Sequence, residues 1–240
     1  MSSIRLDNNY EPINISHYDK RKKRKKNHLS LELKNITPKT DTQTRVFHSF
    51  NKSELMFLHG YAGTGKTFIS LYLALQELQA GNAERLIIVR SSVPTREMGF
   101  LPGTEKEKMK VYEAPYVAMA TELFGRGDAY ECLRTRKSID FISTSYVRGC
   151  TFNDAIVLVD ETQNMSFQEL DTIITRLGEN SKIVFCGDYK QSDLKNSGLR
   201  KFLDVVEHIP DITHIEFSKE DIVRSELVKK YIIAKDFILD

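Results

Sequence analysis

The sequence predicts an α/β fold with a mostly parallel sheet, and three observations carry that prediction. Short β-rich apolar runs recur from residue 55 onward. Several are apolar without interruption, as strands buried on both faces of a parallel sheet must be. Between them lie longer segments of helical pattern, so strand and helix alternate along the chain.

The elements follow in order. A first strand is expected at 55–59, where the apolar LMFL runs into the glycine-rich HGYAGTGKTF, and an amphipathic helix at 66–80 follows it. The next strand is RLIIVR at 85–90. Residues 91–138 hold no clear strand and are expected to form an insertion beside the sheet, with a helix at 105–124. Strands IDFIS (139–143) and AIVLVD (155–160) precede a helix at 166–177; KIVFCG (182–187) precedes one at 197–207; and THIEF (213–217) precedes one at 223–235. No internal repeat is apparent.

Composition sets the bounds. The 240 residues suit one large domain or one domain plus appendages, and 40% hydrophobic with 28% charged residues is the balance of a globular protein with a sizeable core. No apolar run approaches the roughly 20 residues of a membrane helix. The start, MSSIRLDNNY, has no apolar segment of signal-peptide type. Cys132, Cys150 and Cys186 are far apart and fit no metal-ligand spacing, so they read as reduced thiols of a cytoplasmic protein.

The net charge of +2 hides an asymmetry. Residues 1–30 carry eight Lys/Arg against three Asp/Glu, and the remainder holds 27 basic against 30 acidic side chains, a balance of −3. Residues 1–34, with RKKRKK at 21–26, lack periodicity and are expected to form a mobile arm ahead of a domain at 35–240. Three readings of the basic run stay open: a solvated tail, contact with nucleic-acid phosphates, or a nuclear address.

The chemistry is carried at strand ends. Gly60, Gly65, Lys66 and Thr67 fit G-x-x-x-x-G-K-[ST], the Walker A pattern, with a strand before it and a helix after it. Glycines let successive backbone N–H groups converge on phosphate oxygens at a helix N-terminus. Lys66 adds a mobile positive charge for the β- and γ-phosphates, and Thr67 offers its hydroxyl to Mg²⁺. Ala62, Gly63, Thr64 and Phe68 complete the nucleotide-binding stretch, so ATP and Mg²⁺ are the expected cofactors. The strand AIVLVD ends in Asp160 and then Glu161. Asp160 is assigned to the Mg²⁺ shell, and Glu161 to orienting and deprotonating the attacking water. A third strand end, KIVFCGDYKQSDL, places Gly187, Asp188 and Gln191 together, with Gln191 read as a sensor of the γ-phosphate and water.

At these residues the chain resembles the PhoH family of P-loop ATPases, whose core is related to superfamily 1 helicase motors. The resemblance rests on GYAGTGKT (60–67), GFLPGTEKEKM (99–109), RGCTFNDAIVLVDETQNMS (148–166), TRLGENSKIVFCGDYKQSDL (175–194) and FSKEDIVRSELV (217–228). It implies a RecA-like three-layer sandwich of the P-loop NTPase fold. It also implies that Gln43 reads the adenine base, that Arg224 acts as a finger on the γ-phosphate, and that Arg90 and Arg148 stand at family arginine positions. Tyr61 stands where the family has proline, Thr162 where it has alanine, and SEL follows Arg224 where it has His-Pro-Leu.

Arg224 follows the last strand and is expected to lie out of reach of its own γ-phosphate. A neighbouring subunit would then supply it in trans, which makes a head-to-tail ring, and the family points to a hexamer. Two uses compete: a helicase-like motor on single-stranded RNA or DNA, and a non-translocating ATP switch with a protein client. A P-loop kinase comes third, since two carboxylates and a glutamine suit an attacking water better than an alcohol.

Overall fold

The computed structural model describes residues 31–91, 105–188 and 198–239. The basic arm, the GFLPG segment and Gln191 lie outside the described residues. Every helix and strand described lies within Leu33–Asp240.

Six strands form one parallel sheet: β1 (Leu55–Gly60), β2 (Arg85–Arg90), β3 (Ile139–Ser143), β4 (Ala155–Asp160), β5 (Lys182–Cys186) and β6 (Thr213–Phe217), in the order β3-β2-β4-β5-β1-β6. The expected α/β fold is therefore the one observed. β4 is buried at all six positions, which is why its sequence is apolar up to Asp160. Because β4, β5 and β1 are adjacent and parallel, their carboxyl ends meet at one edge. The three strand ends that carry the motifs are thereby brought side by side.

Among the described residues seven α-helices accompany the sheet: α1 (Asp41–Phe50), α2 (Lys66–Ala80), α3 (Glu105–Phe124), α4 (Ala129–Thr135), α5 (Phe167–Ile174), α6 (Gly198–Val206) and α7 (Glu226–Leu239). On one face, Phe57, Val157, Val159 and Phe185 pack against Leu170 and Ile173 of α5 and Phe202 of α6. Each such side chain contributes about 1.5–3 kcal/mol on full burial. α2 covers the other face, burying Leu71, Ala74 and Leu75.

Two helices escape the sequence reading. α1 is short and polar, and is started by Thr40, whose side chain accepts from the Gln43 N–H at 3.2 Å. α4 has seven residues, too few to show a period. Boundaries also shift. α5 begins after Ser166, which forms a capping box with Glu169. α7 begins at Glu226 rather than 223, because Ser218 and Asp221 cap a short 3₁₀ turn at Lys219–Asp221 and Val223 turns back to the glycine loop. Among the described residues, no helix is long and apolar enough to cross a membrane.

Candidate nucleotide-binding site

The glycine loop is held from three sides. At Gly60, with φ +110°, a Cβ would stand 2.1 Å from the Phe217 carbonyl oxygen, so β6 approaches too closely for any side chain. The Tyr61 N–H donates to that same carbonyl at 3.0 Å. Gly63 and Gly65 follow at φ +75° and +86°. Gly65 caps α2 with no side-chain bond, so the first turn of the helix presents uncapped N–H groups and its positive dipole end. Ala62 through Phe68, with Asp160, Glu161 and Arg224, line one cleft of about 250 Å³.

Lys66 is buried beside the loop, where its ammonium donates to the carbonyls of Gly60 (2.9 Å) and Tyr61 (2.7 Å). Burial lowers its pKa, against the pull of Asp188, Cys186, Asp160 and Glu161. These carbonyl bonds hold the ammonium at the floor of the cleft, beside the surface an anion would occupy. Beneath the loop, burial pushes the Cys186 thiol up, which makes it an inert core group.

At the end of β4, the Thr67 hydroxyl donates to Asp160 Oδ1 at 2.8 Å. The other oxygen, Oδ2, accepts from the Tyr116 hydroxyl of α3 at 2.7 Å. Glu161 takes a left-handed conformation (φ +56°, ψ +44°), unusual for a non-glycine residue, which turns the chain sharply out of the sheet. Its carboxyl pKa is raised, first by burial and then by Asp160, with Arg90 and Gln163 opposing. The Gln163 amide donates to Glu161 Oε2 at 2.5 Å, while its carbonyl accepts from the Asp188 N–H at 3.0 Å. Gln163 thus ties the acidic pair to the end of β5. Its signal in the sequence is a polar side chain three residues past a buried strand, in DETQN.

Other expected residues fall differently. Gln43 is buried, its Oε1 accepting from the Lys39 N–H (2.7 Å) and its Nε2 donating to the Thr64 carbonyl (2.9 Å). It props the glycine loop and does not line the cleft. Arg224, expected out of reach of its own γ-phosphate, lines the cleft of its own chain. The segment after β6 folds back over the loop, where the Val223 N–H donates to the Gly63 carbonyl at 3.1 Å. Arg90, the cross-strand partner of Asp160, lies over the ring of Tyr112 at 5.6 Å, and Arg148 is exposed.

Two of the three departures from the family pattern have defined surroundings. Tyr61 donates its hydroxyl to Asp236 of α7. Thr162 is buried against Gly187, where a Cβ would stand 2.0 Å from its hydroxyl oxygen. That oxygen makes no hydrogen bond among the described residues.

Fold and site together define a protein of the P-loop NTPase class, with a parallel sheet, a Walker A loop and a carboxylate pair at one edge. The chain belongs to the PhoH-like family: the family model for PhoH-like protein matches residues 35–236. It is 38% identical over 210 residues to a PhoH-like protein of Mycobacterium leprae, covering 84% of this chain and 58% of that one. It is 36% identical over 207 residues to a PhoH-like protein of Bacillus subtilis, covering 85% and 65%. The chain therefore spans less than two thirds of these relatives' length. In fold it is similar to the large terminase of a thermophilic bacteriophage in complex with ATP-gamma-S, with a TM-score of 0.52 and 13% identity, covering 80% of this chain and 48% of that one.

Proposed function

We propose that the protein is a Mg²⁺-dependent ATPase that acts on single-stranded nucleic acid, RNA or DNA, as a helicase-like motor in the cytoplasm. The observation that carries the ATPase reading is the Thr67 hydroxyl on the Asp160 carboxylate, set at the uncapped N-terminus of α2 with Glu161 beside it. A hydroxyl and carboxylate oxygens are the hard ligands Mg²⁺ takes. Thr67 and Asp160 would hold Mg²⁺, which supplies charge neutralisation at the phosphates.

The chain's own groups do the rest. The loop N–H groups bind the phosphate oxygens, and Lys66 adds its charge to them. Glu161 orients the water and accepts its proton; burial makes its carboxylate a stronger base than an exposed glutamate. Gln163 keeps that carboxylate aimed. Arg224, which lines the same cleft, is the candidate for the arginine that offsets charge on the transferred phosphoryl group.

The nucleic-acid client is supported by the run of basic residues at 20–26, and a homo-hexameric ring by the family resemblance. The deciding experiment is steady-state ATP hydrolysis with and without single-stranded RNA or DNA, with Lys66→Ala as the blank. Stimulation several-fold, lost at high salt, supports the motor. A robust rate indifferent to both polymers points to the switch with a protein client, and no rate above the blank overturns the ATPase reading.

A further inference from the structure

Helix α3, between β2 and β3, reaches the sheet edge at Asp160 directly. Tyr112, Tyr116 and Met119 share one face of α3 by their spacing. Tyr112 lies over Arg90, Tyr116 bonds Asp160, and Met119 lines the cleft. Tyr116 is fully buried, with its ring 5.6 Å from that of Phe141 on β3. Its 2.7 Å bond to Asp160 is a charge-assisted one within the core, Asp160 being 6% exposed. Both carboxylate oxygens therefore accept from hydroxyls on different elements, Thr67 of α2 and Tyr116 of α3. Arg90 and Asp160 face each other across β2 and β4, so α3 touches both members of a cross-strand pair.

We propose that Tyr116 is a positioning residue for the metal carboxylate: through its hydroxyl, α3 fixes the orientation of Asp160 and so sets the metal affinity of the nucleotide site. This rests on the ATPase reading of that site. Thr67 alone constrains one oxygen and leaves the carboxylate free to rotate about its Cβ–Cγ bond; the phenol removes that freedom. The ring is held by Phe141 and the α3 backbone, so the hydroxyl has little room to follow a carboxylate that turns. Outer partners of this kind are worth about 10- to 100-fold in metal affinity.

The test is Tyr116→Phe in the full chain, which deletes the hydroxyl and keeps the buried ring. ADP binding is measured by equilibrium dialysis in EDTA, and Mn²⁺ binding to the ADP complex by the EPR signal of the free ion. The expected result is Mn²⁺ affinity about tenfold weaker, with ADP affinity in EDTA unchanged. In an Asp160→Asn background, the same substitution is expected to have no further effect on Mn²⁺ affinity. Unchanged Mn²⁺ affinity, an equal loss with and without metal, or a full effect persisting in the Asp160→Asn background would each overturn the assignment. Should the unaltered protein bind no ADP under either condition, the nucleotide site itself falls, a failure distinct from that of Tyr116.

Discussion

Arg224 lies against Gly63: its Cγ is 2.9 Å from where a Cβ on the glycine would stand. The arginine thus belongs to the cleft of its own chain. Arg224→Ala is expected to lower the turnover of ATP by about 10³-fold or more. With Arg224 acting in the cleft it lines, the rate per subunit is expected to stay constant as the protein is diluted. A rate per subunit that collapses on dilution would return the finger to a neighbouring subunit.

Glu161→Gln tests the base. The amide keeps the shape of the side chain and its bond to Gln163 but accepts no proton. Turnover is expected to fall by about 10²–10⁴-fold while ATP affinity holds. Phosphate release and filter binding on the same preparation separate the two quantities.

Gly60→Ala would place a methyl 2.1 Å from the backbone of Phe217, at a φ of +110°. Neither β1 nor β6 can withdraw without breaking the sheet. A loss of about 3 kcal/mol or more in urea unfolding is expected, from steric overlap and backbone strain together. Gly81→Ala, where a Cβ meets nothing within 4 Å, carries only the strain of its positive φ and should cost less.

Gln43→Ala distinguishes a prop from a base reader. It leaves the Thr64 carbonyl and Lys39 N–H without their side-chain partner, so a loss of about 1–3 kcal/mol is expected without nucleotide. A variant as stable as the parent but indifferent between ATP and GTP would instead make Gln43 a reader of the base.

His59 gives the chain a pH dependence. It stacks on His214 at 4.4 Å, with Glu216 as its cross-strand partner. Burial first, then His214 and Lys66, lowers its pKa to about 4. The unfolded chain therefore binds the proton more readily than the folded one between pH 6.5 and about 4. The stability contributed by His59 is present in full above pH 6.5 and is lost as pH falls toward 4. Urea midpoints at pH 7 and pH 4.5 should differ more for the parent than for His59→Asn. Equal differences would remove His59 as the source.

The sequence alone was enough for the sheet and for the motifs that end its strands. A strand buried on both faces must be apolar along its length, so β4 could be read through to Asp160; a phosphate loop must alternate glycine with one lysine, so residues 60–67 announced themselves. Both signals are local, because each is enforced within a few residues of the chain. What only the tertiary structure decided comes from contacts between distant segments, which leave no period in the sequence. Tyr116 meets Asp160 across 44 residues, Gln43 meets Thr64 across 21, and Arg224 returns to Gly63 from beyond the last strand. A tyrosine on a helix reads as core and a glutamine near a turn reads as surface, until folding brings each against the group whose hydrogen bond it completes.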